Sequence, residues 1–185
     1  MEPTPTPAAR GLTHRDLDAT PDDGNLWEVI DGSIYVSPHP TPAHQYVITK
    51  LTTLLVTYVD RHALGKVFCS AIKVVLDEAT GVGPDLVYIS TDRLDGLRED
   101  GFYGPPDLMV EVISTKPALD RIVKRDKYAR AGVPHYWIID PGKRTLEVYR
   151  LEGGRYSLPS EFAGAGVFCP DWLPGLELNL RKLWM

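Results

Sequence analysis

Hydrophobic residues follow two different spacings along the chain, and together they predict a mixed α/β fold. Residues 26–30 and 33–36 are strand-like and flank Asp31-Gly32, a dipeptide typical of two-residue hairpins. Residues 47–59 instead carry one wide apolar face at helical spacing. Thr41-Pro42 supplies the N-cap and the first residue of that helix, and Gly65 is its expected stop.

The later segments predict one strand–helix–strand crossover followed by a hairpin. Residues 107–113 are a strand, residues 118–131 a helix ended by Gly132-Val133-Pro134, and residues 135–140 the next strand, whose hairpin partner is 145–150. The further expected elements are strands at 66–69, 71–76 and 84–90, with a turn at Gly81 and Gly83, and a loop at 91–105 that has room for a short helix. The whole pattern predicts a mixed β-sheet flanked by helices.

Length and composition indicate a single domain, 13–185, behind a disordered tail, 1–12. The apolar stretch 168–185 is expected to pack as core or as an interface. Two cysteines, no export signal and no apolar run of about 20 residues predict a cytoplasmic protein without a membrane partner. The net charge of -5 disfavours a general nucleic-acid binder but leaves room for a local basic patch.

Two acids occupy positions in the predicted strands where apolar residues are usual. Asp85 opens the apolar segment 86–89, and Glu111 lies between Val110 and Val112. Buried carboxylates are costly unless they are paired or bind a metal, and these two are expected to project from neighbouring strands toward one point. Strand alternation puts Asp107 on the face of Glu111 but about 13 Å away, so Asp107 is expected outside that pair. Paired hard oxygens suit Mg²⁺ or Mn²⁺.

The helix after the second strand offers a lysine for the same point. Asp120, Lys124 and Tyr128 are spaced by four and share a helix face, with Arg121 and Arg125 beside them. Two carboxylates and a lysine form a minimal set for binding a divalent cation and cutting a phosphodiester. The alternatives are a solvated helix face with an Asp–Lys pair, and a structural pair between Glu111 and a lysine such as Lys73.

An ordered set of segments also resembles a known family. It comprises Trp27-Glu28-Val29-Ile30-Asp31-Gly32, the helix near His44, Pro84-Asp85-Leu86, the run from Pro106 to Ser114, Asp120 to Lys124, Tyr128 to Pro134, Tyr136-Trp137 and Asp140-Pro141. Over roughly residues 25 to 152 the series resembles the Uma-type family, whose members are named as restriction endonucleases from their sequences, within the PD-(D/E)XK nuclease superfamily.

The resemblance implies a restriction-endonuclease-like core, a divalent-metal site and DNA as the partner. The family's first acid falls on Asp85 and its second on Glu111, which would hold the metal. Ile113 stands where the superfamily lysine is usual, so the matching lysine is Lys124, with Lys127 as the fallback. Glu28 and His44 fall on recurring family positions, but a hairpin-edge carboxylate and a helix-terminal histidine are the favoured interpretations. Residues 114–117 depart from the family's usual run.

Three functions stay open from the sequence. The leading one is a Mg²⁺-dependent (or Mn²⁺-dependent) endonuclease acting on DNA, with catalytic Asp85, Glu111 and Lys124, and with Tyr128 and nearby arginines contacting phosphates. The second is a nuclease fold kept as a binding module with little or no cutting. The third is a structural domain whose acids are paired internally. A homodimer is expected because nucleases that cut both strands commonly act as dimers.

Overall fold

The computed structural model describes residues 11–70, 72–113 and 117–185. Most of the expected disordered tail, residues 1–10, and part of the loop at 114–117 lie outside the described residues. The strands are β1 Leu26–Ile30, β2 Ser33–Ser37, β3 Gly65–Cys69, β4 Val74–Asp77, β5 Thr80–Val82, β6 Leu86–Ser90, β7 Leu97–Arg98, β8 Gly101–Tyr103, β9 Leu108–Val112, β10 His135–Asp140, β11 Thr145–Glu152, β12 Arg155–Tyr156, β13 Ser160–Ala163, β14 Val167–Phe168 and β15 Leu178–Asn179.

The helices are few, and two of them matter for the site. Helix α1 spans Pro42–Arg61 and α2 spans Arg125–Ala131, while the six residues before α2, Leu119–Lys124, are wound as a π-helix. Short 3-10 helices cover His14–Ala19, Thr91–Gly96 and Leu180–Lys182. No helix in the part of the chain that the structure describes is long and apolar enough to cross a bilayer.

The central sheet has the order β12-β11-β10-β9-β6-β3 within the described residues, and β13 also pairs with β11. Strands β9 and β10 run parallel, as the crossover requires, and their neighbours are antiparallel. A second sheet has the order β2-β1-β5-β4-β8-β7. The predicted fold class, a mixed β-sheet flanked by helices, is confirmed.

Several local predictions are also confirmed. The β1–β2 hairpin turns at Asp31-Gly32, and both residues have positive φ. The hydroxyl of Thr41 caps α1 by accepting a hydrogen bond from the backbone N–H of His44, at 3.3 Å. The expected helix at 118–131 is present, with a π-helical first part, and Gly132 ends it at φ 86°.

Two glycines do not act as the turns that the sequence suggested. Helix α1 already ends at Arg61, and Gly65 opens β3, where an added Cβ would clash with the carbonyl oxygen of Ile89 on β6. Gly81 lies inside β5 and faces His14, because a Cβ there would lie 2.8 Å from the His14 Cβ. Gly65 therefore permits close backbone approach, and Gly81 leaves room for the side chains of His14 and Leu17. The β4–β5 turn falls at residues 78 and 79.

The central sheet is covered on both faces by apolar layers. Helix α1 and the C-terminal segment cover the face that carries Leu108, Val110 and Val112 of β9. Met109 of β9 belongs to the opposite layer, which also includes residues of α2 and of the second sheet. The C-terminal stretch, left open as core or interface, is core within this chain, because its buried side chains pack on α1. They are Phe168, Leu173, Leu176, Leu178, Leu180 and Leu183.

The C-terminal segment should therefore contribute strongly to stability. Leu180 is 0% exposed, so Leu180→Ala is expected to lower the free energy of unfolding by about 2–5 kcal/mol through lost burial and a residual cavity. Leu158 is 92% exposed, and Leu158→Ala is the matched control, expected to change stability by less than about 0.5 kcal/mol. Urea unfolding of both variants measures the difference, and equal values would contradict the assigned role of the segment.

Candidate functional site

Strands β6 and β9 bring the two predicted acids together. Leu86 pairs with Val110 in an antiparallel register, and one further step places Asp85 opposite Glu111. The backbone N–H of Val112 donates a 2.7 Å hydrogen bond to Asp85 Oδ2, which ties the Asp85 carboxylate to β9. The predicted convergence of Asp85 and Glu111 on neighbouring chain segments is therefore what the structure shows.

The side-chain ammonium of Lys124 lies among three carboxylates. Its Nζ is 2.9 Å from Glu28 Oε1, 3.1 Å from Glu111 Oε1 and 3.8 Å from Asp120 Oδ1. These acids come from β1, β9 and the π-helical turn, while the lysine is only 3% exposed. We call Glu28, Glu111, Asp120 and Lys124 the buried charge cluster.

Glu111 has a second donor from the same helix. The Tyr128 hydroxyl donates a 2.8 Å hydrogen bond to Glu111 Oε1, so one carboxylate oxygen receives both the tyrosine and the lysine. Tyr128 is fully buried, and it packs edge-on against Tyr136 at a centroid distance of 5.1 Å. Tyr128 therefore fixes the orientation of Glu111, and its burial excludes the predicted contact between this tyrosine and substrate phosphates.

Asp85 is held from the other side by α1. His44 Nε2 lies 3.1 Å from Asp85 Oδ2, and the histidine is buried one turn inside the α1 N-terminus. The His44 Nδ1 atom is buried, and no residue of the described part of the chain hydrogen-bonds to it. His44 is thus more than a helix-terminal histidine, because it contacts one of the two acids on which the sequence prediction depends.

Glu28 likewise departs from the favoured interpretation as a hairpin-edge carboxylate. It is 0% exposed, and its Oε1 accepts hydrogen bonds from Lys124 and, at 3.0 Å, from the backbone N–H of Gly83. Its second oxygen, Oε2, is buried and has no hydrogen-bond partner among the described residues. The sequence signals for this role were that a glutamate stands inside the otherwise apolar β1 and that it falls on a recurring position of the family.

A cavity of about 230 Å³ joins the two acids. Its wall includes Asp85, Glu111, Asp120, Lys124 and His44, and its rim includes Pro38, Pro40 and Ser70. Ser70 has a φ of 61°, a left-handed conformation that non-glycine residues seldom adopt outside constrained sites. The cavity gives a small ligand or one phosphate group access to the otherwise buried carboxylates.

The charges in this cavity are strongly coupled. Burial raises the pKa of Glu111 well above its usual range, against the opposing effect of Lys124. Burial also raises the pKa of Asp120 to about 7. For Lys124, burial alone disfavours the ammonium, but Glu111, Glu28 and Asp120 outweigh it and raise its pKa. The lysine is therefore charged, and the four acids of this region, Glu28, Glu111, Asp120 and Asp85, outnumber it. The raised pKa of Glu111 and of Asp120 means that these acids do not all ionise together at neutral pH.

Other predicted residues lie elsewhere. Asp107 accepts a 2.7 Å hydrogen bond from the backbone N–H of Ser90 and pairs with Arg93, so it belongs to a turn rather than to the cavity. Lys127 pairs with Asp31 and Asp77, which makes Lys124 the lysine that joins the acids.

The charged residues beside that lysine are also engaged with other partners. Arg121 binds Glu147 and Asp140 on the central sheet, and Lys73 binds Asp18 and Asp100. Arg121 is therefore not directed at the cavity. Lys73 is not the partner of Glu111 either, so the expected pair of Glu111 with a lysine is made by Lys124 instead.

The carboxylate oxygens are suitable ligands for a hard divalent cation, but they do not form a complete set of protein ligands. Within residues 11–70, 72–113 and 117–185, no three metal-ligating side chains converge on one point. Mg²⁺ is commonly held by one or two carboxylates and retains several waters. Asp85 and Glu111 on the cavity wall suit such a cation, and so does the raised pKa of Glu111 and of Asp120, because a cation placed there would favour the ionised carboxylates.

The buried charge cluster also generates a stability prediction. Lys124→Met removes the only cation facing Glu28 and Glu111 among the described residues, and should lower the free energy of unfolding by about 3–5 kcal/mol. Lys127→Met, on the same helix, should cost about 1 kcal/mol, because the partners Asp31 and Asp77 are half-exposed and stay hydrated.

Chemical denaturation at neutral pH compares the two lysine variants. The loss of unfolding free energy in Lys124→Met should shrink as the pH falls toward about 5. Without the lysine, the buried acids have raised pKa values in the folded state, so their protonation at lower pH stabilises the folded variant and their ionisation at higher pH destabilises it. A smaller loss for Lys124→Met than for Lys127→Met would contradict the electrostatic role of the cluster.

Comparisons with known proteins show the fold and the family of the chain. The chain is similar over its length to the crystal structure of a putative nuclease belonging to DUF820 from Anabaena variabilis, with a TM-score of 0.77 and 19% sequence identity, covering 94% of this chain and 97% of the other. Comparison with curated proteins finds no match. The model of the Uma2 family, described as putative restriction endonuclease, matches residues 15–181. The chain therefore belongs to the Uma2 family of putative restriction endonucleases.

Proposed function

We propose that this protein is a divalent-metal-dependent endonuclease that hydrolyses phosphodiester bonds of DNA. The observation that carries the proposal is the position of the Lys124 ammonium, 3.1 Å from Glu111 on the wall of a cavity that also exposes Asp85. A nuclease-like function is what the family supports. The metal, the DNA substrate and the residue roles are the finer parts of the proposal.

Asp85 and Glu111 would hold the cation, Mg²⁺ or Mn²⁺. When bound, such a cation lowers the pKa of a coordinated water and neutralises charge on the phosphate. His44 and the backbone N–H of Val112 fix the Asp85 carboxylate, and Tyr128 fixes Glu111. Both acids are thus positioned before any ligand enters, so little ordering is needed when it binds.

Lys124 would orient the attacking water and stabilise negative charge that develops on the phosphate. Its pKa is raised by the surrounding acids, so it remains an ammonium and acts as a hydrogen-bond donor rather than as a general base. An ammonium in a cavity screened from bulk water exerts a stronger field than it would at the surface. Lys124 is preferred to Lys127 because only Lys124 contacts Glu111.

A second candidate function has its own supporting observation. Because the Lys124 ammonium already pairs with both Glu28 and Glu111, these two buried acids have a counter-ion inside the chain without a metal. A nuclease fold that binds a partner with weak or no cutting is therefore the alternative. The metal response and the cleavage assay below separate the two functions.

The proposal extends to partners and compartment. DNA is the expected partner, and a homodimer is proposed because a cut in both strands needs two such cavities. Cys69 and Cys169 are free and exposed, which suits the reducing cytoplasm.

Cleavage should depend on both the metal and the cavity residues. Purified protein incubated with supercoiled and linear DNA in Mg²⁺ and then Mn²⁺ is expected to cut, and Glu111→Gln or Asp85→Asn should lower the rate by at least about 100-fold. Lys127→Met, prepared identically, should retain cutting because Lys127 lies outside the cavity. Cutting that persists in Glu111→Gln would indicate a contaminating nuclease and overturn the assignment.

The metal should also stabilise the folded protein. A cation that binds only the native state adds about 2.7 kcal/mol at 100 times its dissociation constant, so the Tm should rise with the logarithm of Mg²⁺ or Mn²⁺ concentration. Glu111→Gln should lose most of this rise, which differential scanning fluorimetry measures. An identical rise in the wild type and the variant would place the cation elsewhere, and stabilisation without cleavage would favour the binding module.

A further inference from the structure

A wide groove lined by arginines lies outside the catalytic cavity. It has a volume of about 720 Å³ and runs between α2 and residues 154–159, which include β12. Arg125 and Arg130 line it from α2, Arg155 lines it from β12, and Tyr149 and Tyr156 form part of its wall. We call this space the arginine groove.

The arginine groove is positively charged in a chain that is negative overall. Three guanidinium groups face one carboxylate, that of Asp126, whereas the whole chain has 20 Lys and Arg against 25 Asp and Glu. Arg125 pairs with Asp126 at 2.8 Å, and Arg130 with the half-exposed Asp31 at 2.6 Å. Arg155 makes no ion pair within the described residues. The groove therefore presents positive charge that is only partly neutralised.

The polar groups of the groove are mostly donors. The hydroxyl of Tyr149 donates to Glu147 Oε2 at 2.8 Å, and that of Tyr156 donates to the Val133 carbonyl oxygen at 3.0 Å. These tyrosines have thus used their hydroxyl protons internally. The side-chain donors left for a ligand are the Ser157 hydroxyl and the guanidinium N–H groups outside the pairs with Asp126 and Asp31. The planar geometry of a guanidinium matches the oxygens of a phosphate.

The groove is also close to the proposed catalytic centre. Arg125 follows Lys124 directly in the chain, and the two side chains point to different sides of one helix. A helix with its side chains is about 10–12 Å wide, so the groove and the cavity are separated by roughly the rise of three nucleotides in one DNA strand. A nucleic acid that enters the cavity could therefore contact the groove with phosphates a few nucleotides away.

We propose that the arginine groove binds the phosphate backbone of DNA and anchors the substrate beside the cavity. This inference rests on the proposed function, because it assumes that nucleic acid is the substrate. A groove of this volume with three separate guanidinium groups is larger than one phosphate requires, which favours a run of backbone phosphates over a free anion. The contacts are to phosphate alone, so they supply affinity without sequence preference.

The test measures DNA binding separately from cutting. Fluorescence anisotropy with a labelled duplex of about 20 base pairs, in Ca²⁺ to support binding, gives the dissociation constant at salt concentrations from about 50 to 200 mM. Arg125→Ala/Arg155→Ala is compared with Arg15→Ala/Arg61→Ala, which removes the same charge from exposed positions outside the groove. Circular dichroism and the Tm confirm that both variants fold, and Arg155→Glu alone serves if the double variant does not.

The groove variant should bind roughly tenfold more weakly per lost arginine at low salt, and its slope of log affinity against log salt should fall by about 1 for each lost phosphate contact. The control variant should keep the slope of the wild type. Equal losses in both variants would show diffuse electrostatic attraction and overturn the inference, as would unchanged binding in the groove variant or no DNA binding by the wild type.

Cleavage distinguishes failure of this inference from failure of the proposed function. Salt-dependent binding that needs Arg125 and Arg155, together with no metal-dependent cutting by the wild type, would support DNA binding by the groove and contradict the proposed endonuclease activity. Metal-dependent cutting that needs Glu111 but does not change on removal of either arginine, at any salt concentration, would support the endonuclease activity and contradict DNA binding by the groove.

Discussion

The burial of one lysine among carboxylates is the constraint on which the site depends. Lys124 is 3% exposed, and a bare ammonium at that depth would be prohibitively costly. The cost is offset by acids from β1, β9 and the π-helical turn, so those three elements are held in one arrangement. The same contacts that keep the lysine charged also place it beside Glu111, which makes stability and candidate chemistry inseparable here.

The winding of the chain before α2 supports this arrangement. Residues Leu119–Lys124 form a π-helix, a rare conformation that is found mostly as single turns at functional sites. Asp120 and Lys124 both reach the cavity from this turn, while Arg121 on the same turn reaches outward to Glu147. One short segment thus divides its charges between the cavity and the acids of β10 and β11.

Local sequence patterns predicted much of the fold, because the information was local. The Asp31-Gly32 hairpin, the capped helix α1 and the alternation of β9 each depend on residues that are neighbours in sequence. The second sheet was not predicted, since strands as short as β7 and β8 carry no readable periodicity. Gly65 and Gly81 were misinterpreted as a helix stop and a turn, because the residues that pack against each of them are distant in sequence.

The candidate site was likewise predictable where it depends on local sequence and not where it depends on tertiary contacts. Asp85, Glu111 and Lys124 were identified because charged residues in apolar strands and a regular helix spacing are visible in a sequence. The parts played by Glu28 and His44 depend on tertiary contacts with Lys124 and Asp85, which no local pattern contains. The ion pairs that direct Arg121 and Lys127 away from the cavity likewise depend on acids that are distant in sequence.

The packing of the C-terminal segment has a consequence for how this chain folds during synthesis. The apolar face of α1 is covered in part by Leu178, Leu180 and Leu183, which are made long after it. At roughly 5–20 residues per second, a ribosome needs on the order of ten seconds to bridge that interval. Throughout that time part of the apolar face of α1 is exposed on the nascent chain. A chaperone that shields α1 would therefore be most useful before the C-terminal segment leaves the exit tunnel.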